Sequence, residues 1–204
     1  MRRILLTSAG LTDNFKKLFW KNVNKEPEQV KIIFVPSAAT ENDGAREGIS
    51  LCIYMLMEMG IRMENILVYN LKYMLSQNYT RTYSRGVDNL PQEFRRLTSD
   101  ELKEYDVIVF SGGEAPLLVG EIKRTGFDGV LNPAVEDGLF YIGISAGSMV
   151  AAGNFKDGLG YIKNHITVHC ECGSECGVVE NDEDICLTDE QAIWIEGDSV
   201  QIIK

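Results

Sequence analysis

Short apolar runs alternate along the chain with stretches of helical periodicity. Ile4 to Leu6 is a first predicted strand, and behind it Leu11, Phe15, Leu18 and Phe19 share one helical face, with Thr12 or Asp13 as the N-cap. Val30 to Val35 reads as a second buried strand ending at Pro36. About Ala45 to Met59 reads as a helix that turns Ile49, Cys52, Ile53 and Leu56 to one side until Gly60 stops it. Ile66 to Tyr69, Val107 to Phe110 and Phe140 to Ile142 are three further strands. Strands this uniformly apolar, separated by helices, predict an α/β fold of three layers (α/β/α), its mostly parallel sheet covered on both faces.

Ligands of such sheets gather beyond the carboxyl ends of the strands. Two strand ends stand out there, Ser111-Gly112-Gly113 and Gly143-Ile144-Ser145-Ala146-Gly147, and both should face one crevice. The second is a G-x-S-x-G pentapeptide between an apolar strand and a helical stretch (Ser148, Met149, Val150, Ala151, Ala152). A serine at that junction sits on a strained turn that lifts its hydroxyl off the backbone, and the flanking glycines avoid collisions with the neighbouring strand and helix. Ser145 is therefore the candidate nucleophile. The N–H of Ala146 points at the forming oxyanion, helped by the helix N-terminus. The second glycine turn offers the other oxyanion donor at Gly113, with Gly112 beside it on the substrate side. A Gly-rich strand-to-helix corner is the blander reading of either turn. Neither a dinucleotide fingerprint nor a Walker lysine is present to make them phosphate loops.

Composition narrows the class. The 204 residues fit one domain spanning 1–204. A net charge of −10 argues against nucleic acid or an anionic membrane as main partner. No window approaches the ~18 consecutive apolar residues of a membrane span. The N-terminal apolar run is brief and soon followed by Asp13, Asn14 and Lys16, so it reads as a strand and the expected location is cytoplasmic. Five cysteines, an odd number, then read as reduced thiols. The polar stretch Ser76 to Arg96 carries Arg81, Arg85, Arg95 and Arg96, with Gly86 and Pro91 as breakers; it is either a solvated excursion or a lid or partner-contact loop.

A nucleophilic serine needs a base, and the chain has only two histidines, His165 and His169. If Ile166 to Val168 is a strand, both lie on the same face. A competing use of this region is a zinc–thiolate site, His169-Cys170-x-Cys172-x3-Cys176 with Cys186 further on. It lacks the paired C-x2-C knuckles of structural zinc sites, and a His169 bound to metal could not act as base, so no metal is expected.

These motifs together resemble the dipeptidase E and cyanophycinase group of serine peptidases. The resemblance rests on Phe110-Ser111-Gly112-Gly113, on Gly143-Ile144-Ser145-Ala146-Gly147, on Gly158-Leu159-Gly160 followed nine residues later by His169, and on Gln191-Ala192, in that order. It implies a class I glutamine-amidotransferase-like (flavodoxin-like) fold, Ser145 as nucleophile, His169 as base, Gly113 and Ala146 as oxyanion donors, and no cofactor. The implied acid is Glu190 in Thr188-Asp189-Glu190-Gln191-Ala192, by likeness to the cyanophycinase-type members; the alternative is Asp157, on a loop shorter than in dipeptidase E. The family's aspartyl specificity uses an Asn after the paired glycines and a later Arg. This chain has Glu114 at the first position and no arginine after Arg124, so an anionic side chain would be repelled there. The expected function is dipeptidase E-like hydrolysis of small peptides by a Ser-His-acid mechanism, with neutral or basic side chains preferred. The alternatives are a cyanophycinase-like isopeptidase and a non-catalytic binding or zinc–thiolate protein. A small peptide is the expected partner, and the arginine loop leaves room for a homodimer.

Overall fold

The structure, a computed structural model, describes residues 1–39, 43–76, 90–180 and 183–204. In chain order its main elements are β1 (Arg3–Thr7), α1 (Asp13–Val23), β2 (Ile32–Val35), α2 (Asp43–Glu58), β3 (Ile66–Val68), α3 (Ser99–Leu102), β4 (Val107–Phe110), α4 (Ala115–Thr125), α5 (Asp128–Glu136), β5 (Phe140–Ile144) and α6 (Ala146–Ala151). Five short strands follow: β6 (Ile166–Thr167), β7 (Gly177–Val178), β8 (Ile185–Cys186), β9 (Ala192–Glu196) and β10 (Ser199–Ile203). The main sheet has the order β3-β2-β4-β5-β1-β9-β10-β7. The first five strands are parallel, and β9, β10 and β7 extend the sheet by antiparallel pairing. A separate pair, β6 with β8, lies outside it.

Successive residues of a strand point to opposite faces, and here each face finds its own core. Ile4, Leu6, Ile33, Val35, Ile108, Phe110 and Tyr141 pack with Leu118 and Ile122 of α4, Leu131 and Val135 of α5 and Val150 of α6. Leu5, Ile32, Phe34, Val107, Val109, Phe140 and Ile142 pack with Phe15 and Phe19 of α1 and Leu56 of α2. Burial of both faces is why the inner strands carry no polar alternation, and it makes the α/β/α layering. Thr12 caps α1, its hydroxyl accepting the Phe15 N–H.

All five strands expected from apolar runs are present, with ends shifted by a residue or two. β7 to β10 are additions to the strands expected from the sequence. The expected strand from Ile166 to Val168 stops at Thr167, because the chain turns at Val168 and His169 adopts a left-handed φ of 58°. Arg81, Arg85 and Gly86 of the arginine loop lie outside the described residues. Arg95 pairs with Glu101 at 2.6 Å, at a capping box where Thr98 and Glu101 close the start of α3, and Arg96 donates to the Gly126 carbonyl. No helix among the described residues is long and apolar enough to cross a membrane.

Candidate active site

β5 delivers Ser145 to the carboxyl edge of the parallel strands, where α6 begins at once. Ser145 has φ 50° and ψ −108°, outside the regions that side chains favour, and the surroundings hold it there. Its N–H donates to the Thr7 carbonyl at 2.9 Å, and its own carbonyl accepts the N–H groups of Ser148 and Met149 at 2.9 and 3.0 Å. The flanking glycines are required by space. A Cβ on Gly143 would stand 2.7 Å from the Gly147 carbonyl, and one on Gly147 would stand 2.6 Å from the Phe110 oxygen. Strand β5, helix α6 and the neighbouring strand β4 can approach this closely only without those side chains.

The Ser111-Gly112-Gly113 turn leaves β4 beside Ser145: a Cβ on Gly112 would meet the Ser145 Cβ at 3.3 Å. Gly113 has φ 134°, and any side chain there would run into the Ala38 carbonyl at 2.1 Å. Glu114 follows, exposed at the start of α4, its N–H donating to that same carbonyl at 2.9 Å. The N–H groups of Gly113 and Ala146 have no protein acceptor among the described residues. For Ala146 this follows from its place as first residue of a helix.

His169 comes from the turn after β6. The Ser145 hydroxyl lies 3.1 Å from His169 Nε2, and His169 Nδ1 lies 2.7 Å from Asp189 Oδ1. A carboxylate only accepts, so Nδ1 carries the proton and Nε2 presents its lone pair to the serine. The Asp189 carboxyl is held below the usual range chiefly by a hydrogen bond from Ser8; burial opposes this, and His169 adds to the lowering. The two side chains are still 51% and 59% exposed, so the site is open on one side.

The carboxylate beside His169 is therefore neither of the two sequence candidates. Glu190 turns away from the histidine and pairs with Lys204 at 2.8 Å, because consecutive residues of the turn before β9 project in different directions. Asp157 is exposed in a turn after α6 and has no partner among the described residues. His165, 64% exposed, faces Asp184 at 3.9 Å and not the serine. Asp189 lies one residue from the expected position, inside the segment that suggests an acid. Ser8 belongs to no motif; its only signal is its position two residues after the predicted first strand. Its hydroxyl donates to Asp189 Oδ1 at 2.8 Å and accepts the His169 N–H at 2.7 Å.

The five cysteines are free thiols, and among the described residues no three His, Cys, Asp or Glu side chains gather as a metal site. Cys176 instead lies 3.7 Å from the Gln191 amide nitrogen, and the Cys170 thiol faces the Thr167 carbonyl at 3.5 Å.

Residues 78–159 match the model of peptidase family S51, a span that carries both the Ser111-Gly112-Gly113 turn and the Ser145 elbow. Over that segment, less than half of the chain, the protein is similar to peptidase family S51. His169 and Asp189 fall outside the matched span, so their assignment rests on geometry. Two solved structures share the fold. One, a candidate peptidase E protein of Listeria monocytogenes EGD-e, is 20% identical with a TM-score of 0.61, covering 100% of this chain and 98% of its own. The other, a peptidase from an acI-B1 Actinobacterium, is 13% identical with a TM-score of 0.62, covering 100% of this chain and 87% of its own. No curated protein matches the chain.

Proposed function

We propose that the protein is a serine peptidase of the S51 type, hydrolysing small peptides by acyl transfer through Ser145, with His169 as base and Asp189 as the acid that orients it. One observation carries the reading: the unbroken line from Ser145 Oγ to His169 Nε2 at 3.1 Å and from His169 Nδ1 to Asp189 Oδ1 at 2.7 Å. In the acylation step Oγ attacks the scissile carbonyl carbon while Nε2 takes the hydroxyl proton. The N–H groups of Gly113 and Ala146 receive the oxyanion, and the imidazolium, stabilised by Asp189, returns the proton to the leaving amine. Water then repeats the sequence on the acyl-enzyme. The chain acts as one domain over 1–204, since strands from both ends of the sequence (β1 and β10) share one sheet.

The side chain accepted is neutral or basic. Glu114 sits next to the Gly113 donor, and Arg95 and Arg96 are engaged with Glu101 and Gly126, so neither offsets its charge. A carboxylate there supports discrimination against Asp-Xaa substrates.

Ser145→Ala tests the nucleophile. It should fold normally, lose turnover by about 10^3 or more, and take up no fluorophosphonate, whereas the native chain labels with one equivalent. Near-native turnover in that variant would remove Ser145 from the reaction.

A further inference from the structure

Ser8 is fully buried at the end of β1, and its side chain has one proton to give. That proton goes to Asp189 Oδ1 at 2.8 Å, and its oxygen accepts the backbone N–H of His169 at 2.7 Å. One residue earlier, the Thr7 carbonyl accepts the Ser145 N–H at 2.9 Å and the Ser148 hydroxyl at 2.7 Å. The dipeptide Thr7-Ser8 therefore bonds to all three members of the Ser145–His169–Asp189 line. The sheet order explains how. Strand β1 lies between β5, which delivers the serine, and β9, which follows the turn holding Asp189.

We propose that Ser8 is a positioning residue, whose hydroxyl holds Asp189 and the His169 backbone so that the ring keeps Nε2 unprotonated toward Ser145. This rests on the Ser145–His169–Asp189 reading above. Packing alone does not fix these groups, because both side chains are more than half exposed and Asp189 stands in a turn. A carboxylate left to water would swing out, and the imidazole would lose the acceptor that selects its tautomer. His169 also has a left-handed φ of 58°, uncommon for a residue with a side chain, and the bond from its N–H to Ser8 fixes it. Ser8, buried and already bonded, supplies the rigidity that the exposed pair lacks.

A purely structural serine would also satisfy the His169 N–H, so the test must read the ring. The full-length chain is compared with Ser8→Ala, Asp189→Ala and the double variant. The probes are the second-order rate of fluorophosphonate labelling and 15N spectra of the imidazoles, with His165→Gln assigning the His169 signals. Ser8→Ala should slow labelling by about 10- to 100-fold. The double variant should be no more than about threefold slower than Asp189→Ala alone, since Ser8 acts through the same unit. The His169 ring should change from a single tautomer protonated at Nδ1 to a mixture. Native labelling rates in Ser8→Ala, losses that multiply in the double variant, or an unchanged ring would each overturn the positioning role. Should Ser8→Ala fail to fold, Ser8→Cys, close in shape but a weak donor, gives the same readouts. Labelling that persists in Ser145→Ala rejects the nucleophile instead; labelling lost there but native in Ser8→Ala rejects only this proposal.

Discussion

Thr7 stands opposite Ala192 in the antiparallel pairing of β1 with β9. Because β9 runs against the parallel strands, the turn that precedes it lies at their carboxyl edge, where Ser145 already waits. On the other side of β1, Thr7 pairs with Ile144, the residue before the nucleophile. Asp189 and Ser145 thus come from segments flanking one strand end, although 44 positions separate them in sequence.

From this register Asp189 should carry the acid's role and Glu190 should not. Asp189→Asn is expected to lower turnover by about two orders of magnitude or more, since the amide cannot stabilise the imidazolium and does not select the same ring tautomer. Glu190→Gln removes an exposed pair with Lys204 and should leave turnover within about twofold. Steady-state kinetics of the two variants decide the matter, and a reversed ranking would return the role to Glu190.

The near miss at this position shows where sequence stops being informative. The elbow is legible because its glycines answer a local demand: a Cβ at Gly143 or Gly147 collides with backbone a few residues away or on the adjoining strand. The inner strands are legible because both faces are buried, leaving unbroken apolar runs. Nothing local tells Asp189 from its neighbour Glu190. Which of the two meets the histidine depends on the turn and on Ser8, which lies 181 positions earlier. β9, which follows this turn, is as apolar as the inner strands, but its antiparallel pairing with β1, and with it the side on which the turn lies, is set by partners distant in sequence.

Away from the site, Glu101 gives a test of stability against pH. Its carboxyl is lowered from the ordinary 4.5 to about 2, chiefly by the hydrogen bond from Arg95, with further bonds from the Thr98 N–H and Gln92 and a counteracting effect of burial. A depressed carboxyl stabilises the fold above its unfolded pKa, and that contribution disappears as pH falls through the folded value. Glu101→Gln should therefore unfold at lower urea concentration than the native chain at pH 7. The gap should narrow steadily between about pH 4.5 and pH 2. A gap that is constant over this range would show that the ion pair contributes nothing to the pH dependence.

On the proposed mechanism, substrate choice follows from the charge beside Gly113. Glu114 is exposed at the head of α4, directly after Gly113, and carries no ion pair among the described residues. Arg124, the last arginine of the sequence, is committed to Glu121 and to the carbonyls of Leu71 and Met74. An aspartyl side chain entering here meets like charge without a guanidinium to receive it. Ala-Xaa and Lys-Xaa dipeptides should accordingly be cleaved better than Asp-Xaa. Glu114→Gln should raise kcat/KM for Asp-Xaa by about two- to fivefold, the scale of an exposed charge interaction, and the gain should shrink as salt is added. Because the charge acts on binding more than on the reacting atoms, the change should appear mainly in KM. A native enzyme that prefers Asp-Xaa over both other substrates would refute this assignment of Glu114 and require a cationic group from elsewhere.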